Sequence, residues 1–239
     1  LASIGAAPPR ETRAAQTLAI IADPVYEAGD PRIRTAAPAV SGAPGAAPRA
    51  GGETGGPRRL ASTAIEAREL EAIAGDPGQT LLLLGPQASR DNVIRAPLER
   101  FRILHFATHA IADGRDPALA SIALSRFDAD GRPLDGALRQ YDITQLRLRA
   151  DLVVLSGCDT ALGREIAGEG PIGLSHAFLR SGARAVVATL WQVPDTSTTV
   201  LMREFYRQML VRGRAPPDAL ALAQEHLRRQ PRWSDPYYW

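Results

Sequence analysis

Lysine is absent from this 239-residue sequence, and all 28 of its basic side chains are arginine. Cysteine occurs once, at Cys158, so no intrachain disulfide can form and a reducing, cytoplasmic compartment is the expectation. Aromatic residues make up 5% of the chain, and the formal net charge is only +2 because 26 acids are interspersed with the arginines. Nucleic-acid binding needs clustered positive charge and stacking surfaces, so it is not expected. No apolar run approaches the roughly 20 residues of a membrane-spanning helix, and no signal peptide opens the chain. No membrane partner is expected either. Arginine without lysine, in a composition rich in Ala, Gly and Pro, matches the codon bias of a GC-rich bacterial genome. The chain opens on Leu1 rather than Met, and it reads as a piece of a longer protein.

What remains is ordinary for a globular domain, with 45% hydrophobic and 23% charged residues. The stretch 28–59 is rich in Ala, Pro and Gly and is expected to be a long mobile loop. Before it, TLAIIADPVY (17–26) reads as a buried strand stopped by Asp-Pro. After it, strands and helices alternate. STAIEARELEAIAG (62–75) places Ile65, Leu70 and Ile73 at helical spacing, with a Thr63…Glu66 capping box and Gly75 as a stop. TLLLLG (80–85), RILHFAT (102–108), DLVVLS (151–156) and ARAVVATLW (183–191) read as strands. SRDNVIRAPLERF (89–101), the segment from Pro171 to Gly182, the segment capped by Asp195 and a final one at 218–229 read as helices. SIALSRFDADGRPLDG (121–136) is expected to form two short strands about an Asp-Gly turn. The expected class is α/β, a mostly parallel sheet with helices on both faces, in a single domain over 1–239.

In such sheets ligands bind beyond the carboxyl ends of the strands. Two strands end in reactive residues there: RILHFATHA delivers His109 and DLVVLSGCDT delivers Cys158. An isolated thiol titrates near 8.5, so only a few per cent is thiolate at neutral pH. A nearby imidazole raises that fraction and can then protonate a leaving amine, the minimum for thiol acyl transfer. The small residues Ser156, Gly157 and Thr160 leave backbone N–H groups accessible to a tetrahedral oxyanion. The alternative for Cys158 is a small, half-buried thiol in a tight turn, and for His109 a core histidine bonded to backbone. His105 lies inside a strand; it reads as structural, and at i and i+4 it could support His109. HFATH lacks the Glu and the helix of a zinc motif, FDADGRPLDG lacks the distal Glu of a calcium loop, and no phosphate-binding Gly-rich loop is present. No metal or cofactor is therefore expected.

The segments LHFATHA, LVVLSGCDTALG, GPIGLSHAFLRSGARAVVATLWQVPD and FYRQML, in that order, resemble the CHAT domain family of caspase-like proteins. The resemblance implies a caspase-like three-layer α/β/α sandwich, and an N-terminal regulatory region of TPR-type repeats or an activating partner outside this segment. It implies a cysteine endopeptidase acting on a protein or peptide substrate, with His109 and Cys158 as the dyad. The N–H groups of Ala110 and Cys158 would form the oxyanion hole. Asp159, Glu169, Trp191 and Asp195 would flank the substrate groove, an acidic member selecting a basic side chain. Ala110 departs from the Gly often found after the histidine in caspase-like sites. The closing DPYYW resembles a family motif that normally runs on into one more apolar strand. A fold kept as a catalytically silent scaffold is the competing expectation, and ester or thioester cleavage would suit the same dyad.

Overall fold

The structure, a computed structural model, describes residues 2–4, 14–34, 57–111, 120–157, 169–189, 191 and 193–239. Its centre is a six-stranded sheet. The strands are β1 (Ala2–Ile4), β2 (Gln16–Ala22), β3 (Thr80–Leu84), β4 (Phe101–Ala107), β8 (Leu152–Leu155) and β9 (Val186–Ala188), in the order β1-β9-β8-β4-β2-β3. The β3, β2, β4, β8 and β9 neighbours pair in parallel, and β1 lies antiparallel on the outer edge of β9. A second, three-stranded antiparallel sheet is formed by β5 (Ala110–Ile111), β6 (Ser121–Ala123) and β7 (Ala137–Arg139).

Period-two alternation in the strands divides the core into two layers. Leu18, Ile20, Ile103, Leu152, Val154 and Val187 face one side. They pack on α1 (Ser62–Ala74), α5 (Asp195–Tyr206) and α6 (Pro216–Arg228). Ala19, Ile21, Leu104, Phe106, Val153 and Leu155 face the other. There they meet α2 (Arg90–Arg95), α3 (Gln140–Gln145), α4 (Glu169–Ser181) and the small sheet. The protein is thus the expected α/β fold with a mostly parallel sheet and helices on both faces. No described helix is long and apolar enough to cross a membrane.

Local departures from expectation have physical causes. Thr63 and Glu66 do not form a capping box. The Thr63 hydroxyl donates to the Leu60 carbonyl and accepts from the Asp23 N–H, while Glu66 turns into the core beside Ala67 and Leu70. Ile65 points outward instead and is 59% exposed. Asp195 is the first residue of α5 rather than its cap, a place taken by Pro194. Both ends of the segment expected to be a mobile loop, 28–34 and 57–59, are tied to the fold. Arg34 N–H bonds the Ala129 carbonyl, Ile33 is buried, and Arg59 is held by Asp23; residues 35–56 lie outside the described part. In the hairpin the second strand begins only at Ala137. Phe127 and Pro133 form an isolated bridge, and the turn between them is closed by Asp128, which accepts from the N–H groups of Asp130 and Arg132.

Chain order places a topological switch beside β2. From β2 the chain moves to β3 on one side, then returns across to β4 on the other. In open parallel sheets such a switch point, at the carboxyl ends of β2 and β4, is where ligands bind.

Candidate active site

His109 stands at that switch point, just past the end of β4. Strand β4 ends at Ala107, Thr108 makes a bend, and Ala110 begins β5. Thr108 is locked by its side chain: the Tyr26 hydroxyl donates to Thr108 Oγ1 at 2.7 Å, and Thr108 donates to the Ala123 carbonyl at 2.5 Å. Burial pushes the Tyr26 phenol well above its ordinary value, so it remains a neutral hydrogen-bonding group. The Tyr26 ring packs at 5.6 Å from the His109 ring. The His109 carbonyl accepts from Ala123 N–H, and His109 is only 1% exposed.

His109 Nε2 lies 2.6 Å from the Arg58 carbonyl oxygen. A carbonyl only accepts, so Nε2 carries the hydrogen, and in the neutral imidazole Nδ1 is then the basic nitrogen. Strand β8 ends beside this histidine. Ser156 N–H continues the ladder to the Phe106 carbonyl. A Cβ added to Gly157 would meet Thr108 O at 2.6 Å and Thr108 N at 2.9 Å. Only glycine lets the two strand ends approach this closely.

Beside these strand ends lies a buried polar network that the sequence pattern did not disclose. Glu66 Oε1 accepts from His105 Nε2 at 2.7 Å and from Ser156 Oγ at 2.8 Å, and Tyr206 Oη is 3.1 Å from His105 Nδ1. All four residues are at most 2% exposed. Burial, followed by the Glu66 charge, raises the Tyr206 phenol far above its usual range. The contacts described for His105 lie in this network, with Glu66, Ser156 and Tyr206. The network ties α1 and α5 to the middle of β4 and to the end of β8.

The expected site residues divide by position. His109 and Ala110 sit together at the end of β4. Cys158 and Asp159 lie outside the described residues, one and two positions beyond Gly157. Glu169 opens α4 and Asp195 opens α5. Trp191, which follows β9, is 40% exposed; its Nε1–H donates to the Tyr237 carbonyl at 2.9 Å. It lines a small cavity with Tyr238 and Trp239, so one side of this ring is engaged by the C-terminal residues. His176 and His226 are exposed on α4 and α6. Among the described residues no three His, Cys, Asp or Glu side chains are grouped to hold a metal ion.

Comparison with known proteins decides the family. The model of the CHAT domain matches residues 5–239. The chain belongs to the CHAT domain family. That family is related to caspase-like peptidases, which agrees with the mostly parallel sheet covered by helices on both faces. The chain is similar to tetratricopeptide repeat protein 28 of Mus musculus, at 34% identity over 102 residues, covering 43% of this chain and 4% of that protein. It is also similar to tetratricopeptide repeat protein 28 of Homo sapiens, at 27% identity over 187 residues, covering 66% of this chain and 7% of that protein. This CHAT domain thus spans under a tenth of the length of these curated relatives.

Proposed function

We propose that this CHAT domain is a cysteine endopeptidase module with a His109–Cys158 dyad. The observation that carries the reading is the contact of Gly157 with Thr108, which presses together the two strand ends leading to the dyad residues. Cys158 is the next residue, one Cα step of about 3.8 Å further along the chain. The Arg58 carbonyl supports His109 in the tautomer that leaves Nδ1 basic, as a general base requires. In this reading Nδ1 takes the thiol proton, the thiolate attacks the scissile carbonyl, and the imidazolium returns the proton to the departing amine. The tetrahedral oxyanion is held by the N–H groups of Ala110 and Cys158. The His109 carbonyl is bonded to Ala123 N–H, so the next pair, Ala110 with Ile122, is a non-hydrogen-bonded one. The Ala110 N–H therefore points away from β6, which suits an oxyanion donor.

The substrate is a protein or peptide, with Asp159, Glu169, Trp191 and Asp195 flanking its groove. An intracellular peptidase of this kind is held latent, and the relatives named for tetratricopeptide repeats favour control by a repeat region or a partner bound to one. Incubation with a peptide library, read by mass spectrometry, tests the activity. Cleavage by the wild type that Cys158→Ala and His109→Ala both abolish supports it. No cleavage by folded wild-type protein joined to its flanking regions favours the silent scaffold.

A further inference from the structure

We propose that Asp23 and Arg59 are positioning residues for His109: their ion pair holds the Arg58 carbonyl against the imidazole Nε2–H. The inference rests on the acid–base role of His109 proposed above. Arg58 lies in a short irregular segment, 57–60, where both Arg58 and Arg59 are exposed. Such a segment has no ladder of its own to fix a carbonyl at 2.6 Å from a buried ring. The fixing comes from its neighbour. Arg59 Nε and Nη2 contact the two Asp23 carboxylate oxygens at 2.8 and 2.9 Å, a two-pronged contact that sets the direction of the side chain. The peptide unit from the Arg58 carbonyl to the Arg59 nitrogen is planar, so holding Arg59 limits the swing of that carbonyl.

Asp23 is itself over-determined. It is 4% exposed, and its backbone sits in the left-handed region at φ 49°, an unusual conformation for a residue with a side chain. Arg32 Nη1 binds its Oδ2 at 2.6 Å and its carbonyl at 2.7 Å, and its N–H donates to Thr63. Arg32 is shared with Asp30. Two carboxylates and one guanidinium leave a single negative charge, and Arg59 completes the balance. The strained turn after β2 thus presents a carboxylate beside the switch point, where it anchors the strap that orients the histidine on β4.

The test compares wild type with Arg59→Met, Arg59→Lys and Asp23→Asn. Long-range proton–nitrogen spectra of histidine-labelled protein report the tautomer of each of the four histidines, with His109→Gln for assignment. Thermal unfolding checks each fold. Wild-type His109 is expected as the pure Nε2–H tautomer. Arg59→Met and Asp23→Asn should give a tautomer mixture and slow peptidyl acyloxymethyl ketone labelling of Cys158 by about 10-fold. Arg59→Lys keeps the charge but not the fork; it should show the same mixing to a smaller extent, and it serves if methionine unfolds the protein. A folded variant that keeps the pure tautomer and the full labelling rate overturns the proposal. A tautomer that responds in a protein no probe labels upholds the strap and removes the acid–base reading on which it was built.

Discussion

Gly157→Ala is the most telling substitution in this fold. The added methyl would lie 2.6 Å from Thr108 O, 2.9 Å from its N and 3.0 Å from its C, all backbone atoms that cannot rotate away. Ordinary carbon contacts begin near 3.5 Å, so the ends of β4 and β8 must separate by about 0.5 Å or more. Overpacking of this kind costs about 1–3 kcal/mol. For a domain of this size, about 2 kcal/mol lowers Tm by roughly 4–8 °C. The separation also moves the chain at Cys158 relative to His109, and displacements of this order slow chemistry by about 10–100-fold. Calorimetry and the rate of acyloxymethyl ketone labelling measure the two effects. A Tm within ~1 °C of wild type, with an unchanged labelling rate, would refute the claim that backbone contact at Thr108 aligns the site.

Three further outcomes follow from the packing. Glu66→Ala removes the acceptor shared by His105 and Ser156, and with both left buried it should cost about 3–5 kcal/mol in denaturant unfolding; a loss below about 1 kcal/mol would show that water or another group replaces the carboxylate. Tyr206→Phe deletes one bond to His105 Nδ1 and should cost about 1 kcal/mol, leaving the fold intact. Burial pushes the Asp142 carboxyl up, but hydrogen bonds from Arg90 and the Arg139 N–H outweigh it and hold it below its ordinary 3.8. Its stabilising contribution is therefore complete above that value and is lost as pH falls through the lower folded one. The stability gap between wild type and Asp142→Asn should be constant near neutrality and shrink below about pH 4; a gap that widens with acid would reverse the assignment.

The strands are legible because 81–84 and Leu152–Leu155 are continuous apolar runs bounded by turn residues, although only the second is buried throughout. His109 was legible because it directly follows such a run. The partner of its imidazole was not, since a backbone carbonyl at Arg58 carries no residue-type signature. The role of Glu66 is hidden for a similar reason. Its spacing from Thr63 suits a helix cap, yet Thr63, Glu66, Ala67 and Leu70 form the buried stripe of α1. A carboxylate on that stripe, facing a strand with a histidine at its centre, was the available signal for the buried network. Asp23 announced a turn through Pro24, but its pairing with Arg59 spans 36 positions and depends on how the chain re-enters the fold.

The central claim is an activated thiol at Cys158, and intact-mass analysis after treatment with a panel of peptidyl acyloxymethyl ketones tests it most directly. One covalent adduct is expected on wild-type protein, lost in Cys158→Ala and strongly slowed in His109→Ala, with the best probe reporting the preferred side chain at the cleaved position. Equal labelling of wild type and His109→Ala, at the rate of an ordinary exposed thiol, would contradict it.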